Sequence, residues 1–177
     1  MSKPSVTQLI KLLDKPALLN WANKQGLLGI DINKDRNKWL NAGTSIHNQI
    51  SNFHVNKTPF QSQDVEDRYK RFISGKIVLD CEKDIETDWF QGRLDMRIKD
   101  GNDIIMVDYK NNAKGVYFEH KLQLVGYGMG VECNKFQIVS LPMFTVMAVV
   151  IQDRKPYEEI LKALSHIYKY KNIIENV

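Results

Sequence analysis

Gly92-Arg93-Leu94-Asp95-Met96-Arg97-Ile98-Lys99-Asp100-Gly101-Asn102-Asp103-Ile104-Ile105-Met106-Val107-Asp108-Tyr109-Lys110 is the stretch on which the fold turns. From Trp89 to Lys99 polar and apolar residues alternate. Phe90, Gly92, Leu94, Met96 and Ile98 are expected on one face of a strand, and Gln91, Arg93, Asp95 and Arg97 on the other. Asp100-Gly101 is a hairpin turn signal, and Ile104 to Lys110 is the returning strand. If Asp100-Gly101 forms a two-residue loop, Asp95 opposes Met106 and Asp108 opposes Arg93. A turn centred one residue later brings Asp108 directly opposite Asp95. In both registers Asp95, Asp108 and Lys110 share a face, because opposed residues do. A three-residue loop would separate the two acids. Ile105, Val107 and Tyr109 then face a core.

Outward from the hairpin, the N-terminal third reads as helical. Ser5-Val6-Thr7 caps a helix from Gln8 to Leu13, and Pro16 opens a second through Trp21, stopped by Gly26 and Gly29. A longer helix is predicted from Asn37 to Phe53, with Trp39, Leu40, Ile46 and Ile50 at helical spacing, and another from Gln63 to Phe72. Strands follow at Lys76 to Ile85, at the hairpin, and near Phe136 to Leu141 and Thr145 to Gln152. Helices are predicted from Tyr117 to Val131, with Leu122 and Val125 on its buried side, and from Tyr157 to Ile174. Helices, a meander, and a helix crossing to further strands describe an α/β sandwich with a central mixed sheet. The 177 residues suffice for one domain with a real core, 1–73 mainly helical and 76–177 forming the sheet-bearing part.

The formal net charge of +4 permits a polyanionic partner without requiring one. Cys81 and Cys133 are far apart, which leaves no Cys-rich zinc site, no iron–sulfur cluster and no disulfide framework. Met1 to Ser5 lacks the apolar segment of a signal peptide, and the apolar run at Val146 to Ile151 is too short to span a bilayer. The expectation is a soluble intracellular protein, in the cytoplasm of a bacterium or a phage-infected host, with no membrane partner.

Two aspartates held across a hairpin repel each other unless a cation sits between them. A hard divalent ion with oxygen ligands suits that gap and can polarise a phosphate. Lys110 can offset charge that builds on phosphate oxygen. An acid pair and a lysine on the wet face of a hairpin are ordinarily solvated, so the trio alone identifies no site. Two further features belong with it. Gln123 and Tyr127 form an i,i+4 pair on the helix after the hairpin, and His47 sits on the long N-terminal helix, where a neutral imidazole can ligate metal.

In order, Gly43-Thr44-Ser45-Ile46-His47, Gly92-Arg93-Leu94-Asp95, Asp108-Tyr109-Lys110 and Gln123-Leu124-Val125-Gly126-Tyr127 resemble the four motifs of the RecB-type branch of the PD-(D/E)XK nuclease superfamily. Pro4 to Gln8, Pro16 to Trp21 and Leu122 to Gly130 are similar to phage nucleases of that branch and to mitochondrial genome maintenance exonucleases. The resemblance implies a restriction-endonuclease-like core and a Mg²⁺- or Mn²⁺-dependent DNA exonuclease acting on single strands or ends in replication, recombination or repair. It implies metal ligation by His47, Asp95, Asp108 and the backbone carbonyl of Tyr109, with Lys110 as the catalytic lysine. Gln123 and Tyr127 would position the phosphate backbone or that lysine, and Glu82 would stand behind the ligands. The chain departs from the family pattern at Ser51, where an acid is common, and at Asn111, where Thr or Ser is common. The iron–sulfur cysteines of CRISPR-associated relatives and helicase motifs are missing, so a stand-alone nuclease domain is expected, with replication or recombination proteins as possible partners. A structure-specific endonuclease and a non-catalytic nucleic-acid-binding module on the same fold remain open alternatives.

Arg68, Lys70, Arg71, Lys162, Lys169 and Lys171 are spread along the chain and offer phosphate contacts. Tyr117 and Phe118 offer base stacking, whereas Trp21 and Trp39 lie in apolar patterns that belong to a core.

Overall fold

A computed structural model describes residues 3–13, 16–29 and 45–175, excepting the side chains of residues 16–18, 21 and 175. The helices are α1 (Val6–Ile10), α2 (Pro16–Leu27), α3 (45–55), α4 (Gln63–Ile73), α5 (Phe118–Gly130) and α6 (Lys155–Glu175). The strands are β1 (Ile77–Glu86), β2 (Gln91–Asp100), β3 (Asp103–Asn111), β4 (Lys135–Leu141) and β5 (Thr145–Ala148). Ser5 caps α1, which runs from Val6 to Ile10 instead of the expected Gln8 to Leu13: its side chain accepts from the amide of Gln8, and the Gln8 side chain accepts from the Ser5 amide. Gly43, Trp39 and the 37–44 part of the expected long helix lie outside the described residues, as does the Trp21 side chain.

The five strands form one sheet in the order β1-β2-β3-β4-β5. All neighbours are antiparallel except β3 and β4, which run parallel and are joined through α5. This is the expected α/β architecture, a mixed sheet flanked by helices. One face packs on α1, α5 and α6 through Val6, Leu9, Leu94, Met106, Leu122, Ile138 and Leu161. The other packs on α3 and α4 through Ile50, Tyr69, Phe72, Met96, Ile98, Val107 and Val139. β3 is buried from Ile105 to Tyr109 and is therefore the central strand, covered on both faces. Among the described residues no helix is long and apolar enough to cross a membrane.

The hairpin register corrects one detail and decides another. The turn is Gly101-Asn102, because Asp100 pairs with Asp103 and Lys99 with Ile104. Gly101 takes a positive φ of 58° there, which glycine adopts without a Cβ penalty. The register is thus the one that brings Asp95 level with Asp108. Strict alternation along β2 is overturned. Phe90 and Leu94 belong to the core under α5, whereas Met96 and Ile98 belong to the core under α3. The strand turns over at Asp95 because its pairing with β3 stops at Met96 and Val107. From there β2 stays with β1 as far as Gln91, and β3 stays with β4 as far as Asn111. A bulge on β1 between Val78 and Asp80 adds local twist beside this parting.

Candidate active site

The fork where β2 and β3 separate is where the predicted residues meet. Asp95 fills it from β2. Its Oδ2 accepts a 2.7 Å hydrogen bond from the amide of Tyr109, so the carboxylate continues the ladder that the two backbones have given up. Its Oδ1 lies 3.4 Å from Nε2 of His47 on α3. The Glu82 carboxylate on β1 is nearer still, with Oε1 3.0 Å from the same nitrogen. Glu82 faces Asp95 across the β1–β2 ladder, where Cys81 pairs with Met96 and Lys83 with Leu94. It also has a φ of 52°, a left-handed conformation costing a non-glycine residue about 1 kcal/mol or more.

His47, Glu82 and Asp95 offer one nitrogen and two oxygens within 4.8 Å of one another, a set able to hold a metal ion. A test of fit lies in the polar atoms. Nε2 of His47 is buried against two carboxylates, and Oδ1 of Asp108 is buried with no hydrogen-bond partner among the described residues, while Oδ2 of Asp108 faces the Lys110 ammonium. Such an orphaned group costs about 1–3 kcal/mol, and a cation satisfies lone pairs that no donor reaches. Burial works against a charge on His47, but Asp95, then Glu82 and Asp108, outweigh it and raise the ring above its ordinary range. Burial also raises the Glu82 carboxyl, with Asp95 adding to it and His47 opposing. Three acids and an imidazole crowded together in this way make a negative well shaped for a cation.

Asp108 stands apart from that group of three. It is fully buried beneath α5, and its carboxyl is pushed up to about 7 by desolvation, against the pull of Lys110. The Lys110 ammonium lies 2.7 Å from Asp108 Oδ2 and donates a 2.9 Å hydrogen bond to Gln123 Oε1. Gln123 Nε2 in turn donates to the Tyr127 hydroxyl at 2.8 Å, and Thr7 on α1 bonds the same hydroxyl. Gln123 and Tyr127 therefore hold the lysine, with the tyrosine almost wholly buried. Two glycines let the brace close. A Cβ on Gly92 would come within 3.0 Å of Tyr127 Cε1, and one on Gly126 within 3.0 Å of Val6 Cγ1.

Each expected residue can now be placed. His47, Asp95, Asp108, Lys110, Gln123 and Tyr127 converge on the fork. Tyr109 enters through its amide, while its ring packs edge-on against His47 at 5.6 Å in the α3-side core. Glu82, expected behind the ligands, contacts His47 directly. Counting back from the Glu86–Gln91 pair that closes the β1–β2 hairpin sets Glu82 opposite Asp95, but the length of that turn was not evident in the sequence. Of the scattered cations, Arg68, Lys70 and Lys162 are paired with Asp64, Glu66 and Glu159 on their own helices.

No family model matches the chain, and no curated protein matches it. Among solved structures, the crystal structure of SSO0001 is similar, at 16% identity and a TM-score of 0.34, over 52% of this chain and 48% of that one. The match spans about half the length of that protein, and a likeness so loose carries no argument.

Proposed function

We propose that the chain is a metal-dependent deoxyribonuclease of the PD-(D/E)XK superfamily, in its RecB-type branch, and that it hydrolyses phosphodiester bonds at strand ends. The observation that carries this reading is the fork itself. It gathers two acids and an imidazole beside a second, buried aspartate and a lysine held by Gln123. His47, Glu82 and Asp95 hold a divalent cation, and their oxygen-rich set favours Mg²⁺ or Mn²⁺ over softer metals. When bound, that ion supplies Lewis-acid polarisation of a phosphodiester. Lys110 places its ammonium where a phosphate oxygen gains charge in the transition state, and the Gln123–Tyr127 brace keeps it there without reorganisation. The exonuclease specificity, the DNA substrate and a role in replication, recombination or repair rest on the motif resemblance.

The test uses end-labelled linear DNA and closed circular DNA with Mg²⁺, with Mn²⁺ and with chelator. Degradation of linear DNA alone supports the exonuclease, and nicked circles an endonuclease. Absence of metal-dependent cleavage would leave a binding module. Lys110→Ala is expected to reduce cleavage about 100-fold or more while DNA binding survives. Full activity in that variant removes the lysine from the mechanism.

A further inference from the structure

Tyr117 and Phe118 are 56% and 48% exposed, two adjacent aromatic side chains turned to solvent at the start of α5. Each is braced from one side. His120 meets the Tyr117 ring edge-on at 5.2 Å, and Tyr157 lies 5.9 Å from the Phe118 ring. Braced rings lose little further freedom when something settles on them. Their place in the fold ties them to the fork. Phe118 is five residues ahead of Gln123 on the same helix, about 8 Å along its axis and about 140° around it, so the rings stand beside the face on which Gln123 holds Lys110. Lys114 and Lys121 flank the pair, and neither has an ion-pair partner among the described residues, whereas Glu119 in the same turn has a partner already.

We propose that Tyr117 and Phe118, with Lys114 and Lys121, form a shelf at the start of α5 on which unpaired bases of a DNA strand stack as the strand leads towards the fork. The inference rests on the nuclease reading and names its substrate as single-stranded. Every base offers a π-face, so an aromatic shelf binds without regard to sequence. In a duplex those faces are covered by neighbouring base pairs, so only an unwound or single-stranded end gains the stacking. The two lysines track the phosphates and add a salt-sensitive component common to both forms.

The experiment measures binding by the full chain in chelator, using fluorescence anisotropy. The probes are a labelled oligothymidine, an abasic strand of equal length, and a blunt duplex. Tyr117→Ala/Phe118→Ala is expected to weaken oligothymidine binding about 10-fold or more, in line with the loss of base stacking. Abasic-strand and duplex binding should stay unchanged. Tyr117→Phe/Phe118→Tyr keeps both rings and should bind as the parent does, which separates stacking from misfolding. Equal oligothymidine affinity in the alanine variant, or an equal loss on the abasic strand, overturns the shelf. If the base-dependent loss appears but the parent cleaves no DNA, the nuclease reading fails and the shelf stands. If the parent cleaves with no base-dependent loss in the variant, the shelf alone fails.

Discussion

Asp108→Asn should make the metal-free protein more stable, although it removes an acid from the proposed site. Asp108 is fully buried, and its carboxyl is raised from 3.8 to about 7. A carboxyl raised on folding binds its proton more tightly in the native state. Its contribution to stability is therefore favourable at low pH and is lost as pH climbs from the unfolded value through the folded one. Above pH 7 the native state holds an ionised carboxylate that desolvation penalises. A shift of this size corresponds to about 4 kcal/mol, at roughly 1.4 kcal/mol per unit. Asparagine resembles the protonated acid and escapes that penalty, which is already net of the attraction to Lys110, but it leaves amide atoms to satisfy. A net gain of about 1–3 kcal/mol at pH 8 is the expectation. Urea denaturation in chelator reads it directly, and repeating the measurement near pH 4.5, where most of the penalty has gone, should shrink the gain below about 1 kcal/mol. A variant that is less stable than the parent at pH 8, or a gain that ignores pH, would refute the reasoning.

Two further substitutions probe the rest of the fork. Glu82→Gln keeps the side-chain shape and removes the charge, so calorimetric titration with Mn²⁺ should give an affinity at least about 10-fold weaker. Unchanged affinity would take Glu82 out of the ligand set and return that place to Asp108. Gly92→Ala places a methyl group 3.0 Å from the Tyr127 ring, which is pinned through its hydroxyl. The expected cost is about 1–3 kcal/mol of stability in urea, together with slower cleavage as the Lys110 brace shifts. A variant with parental stability and rate would show that the ring yields freely.

The parts of this site that depend on local pattern were legible in the sequence. The apolar alternation of Ile105, Val107 and Tyr109 set the core face of β3, and Ser5-Val6-Thr7 marked the start of α1. Leu122 and Val125 marked the inner side of α5, and helical spacing set Gln123 and Tyr127 on one face. Parity of the turn was enough to set Asp95 and Asp108 on one face in either of two registers. The rest depends on where pairing stops, and no local pattern records that. Alternation along β2 suggested one continuous face, whereas the strand turns over once β3 leaves it. Glu82 stayed in the background for the same reason. Its direction is set by a left-handed backbone and by the register of a second hairpin, both tertiary outcomes. The tryptophans at 21 and 39 add nothing to this comparison, because neither side chain lies within the described residues.

The hydrogen bond from the Tyr109 amide to Asp95 makes one residue answer for two things. Replacing Asp95 takes away a proposed ligand and also unfastens the last tie between two central strands, so inactivity in such a variant reports on folding as much as on chemistry. Lys110 is the cleaner choice for an inert protein, because among the described residues its ammonium pairs with Asp108 and Gln123 and ties no neighbouring strand. The same asymmetry has an evolutionary face. A descendant that abandoned cleavage would still be held to Asp95 by the needs of its sheet. Decay would surface first at Lys110, whose side chain fastens no strand to another.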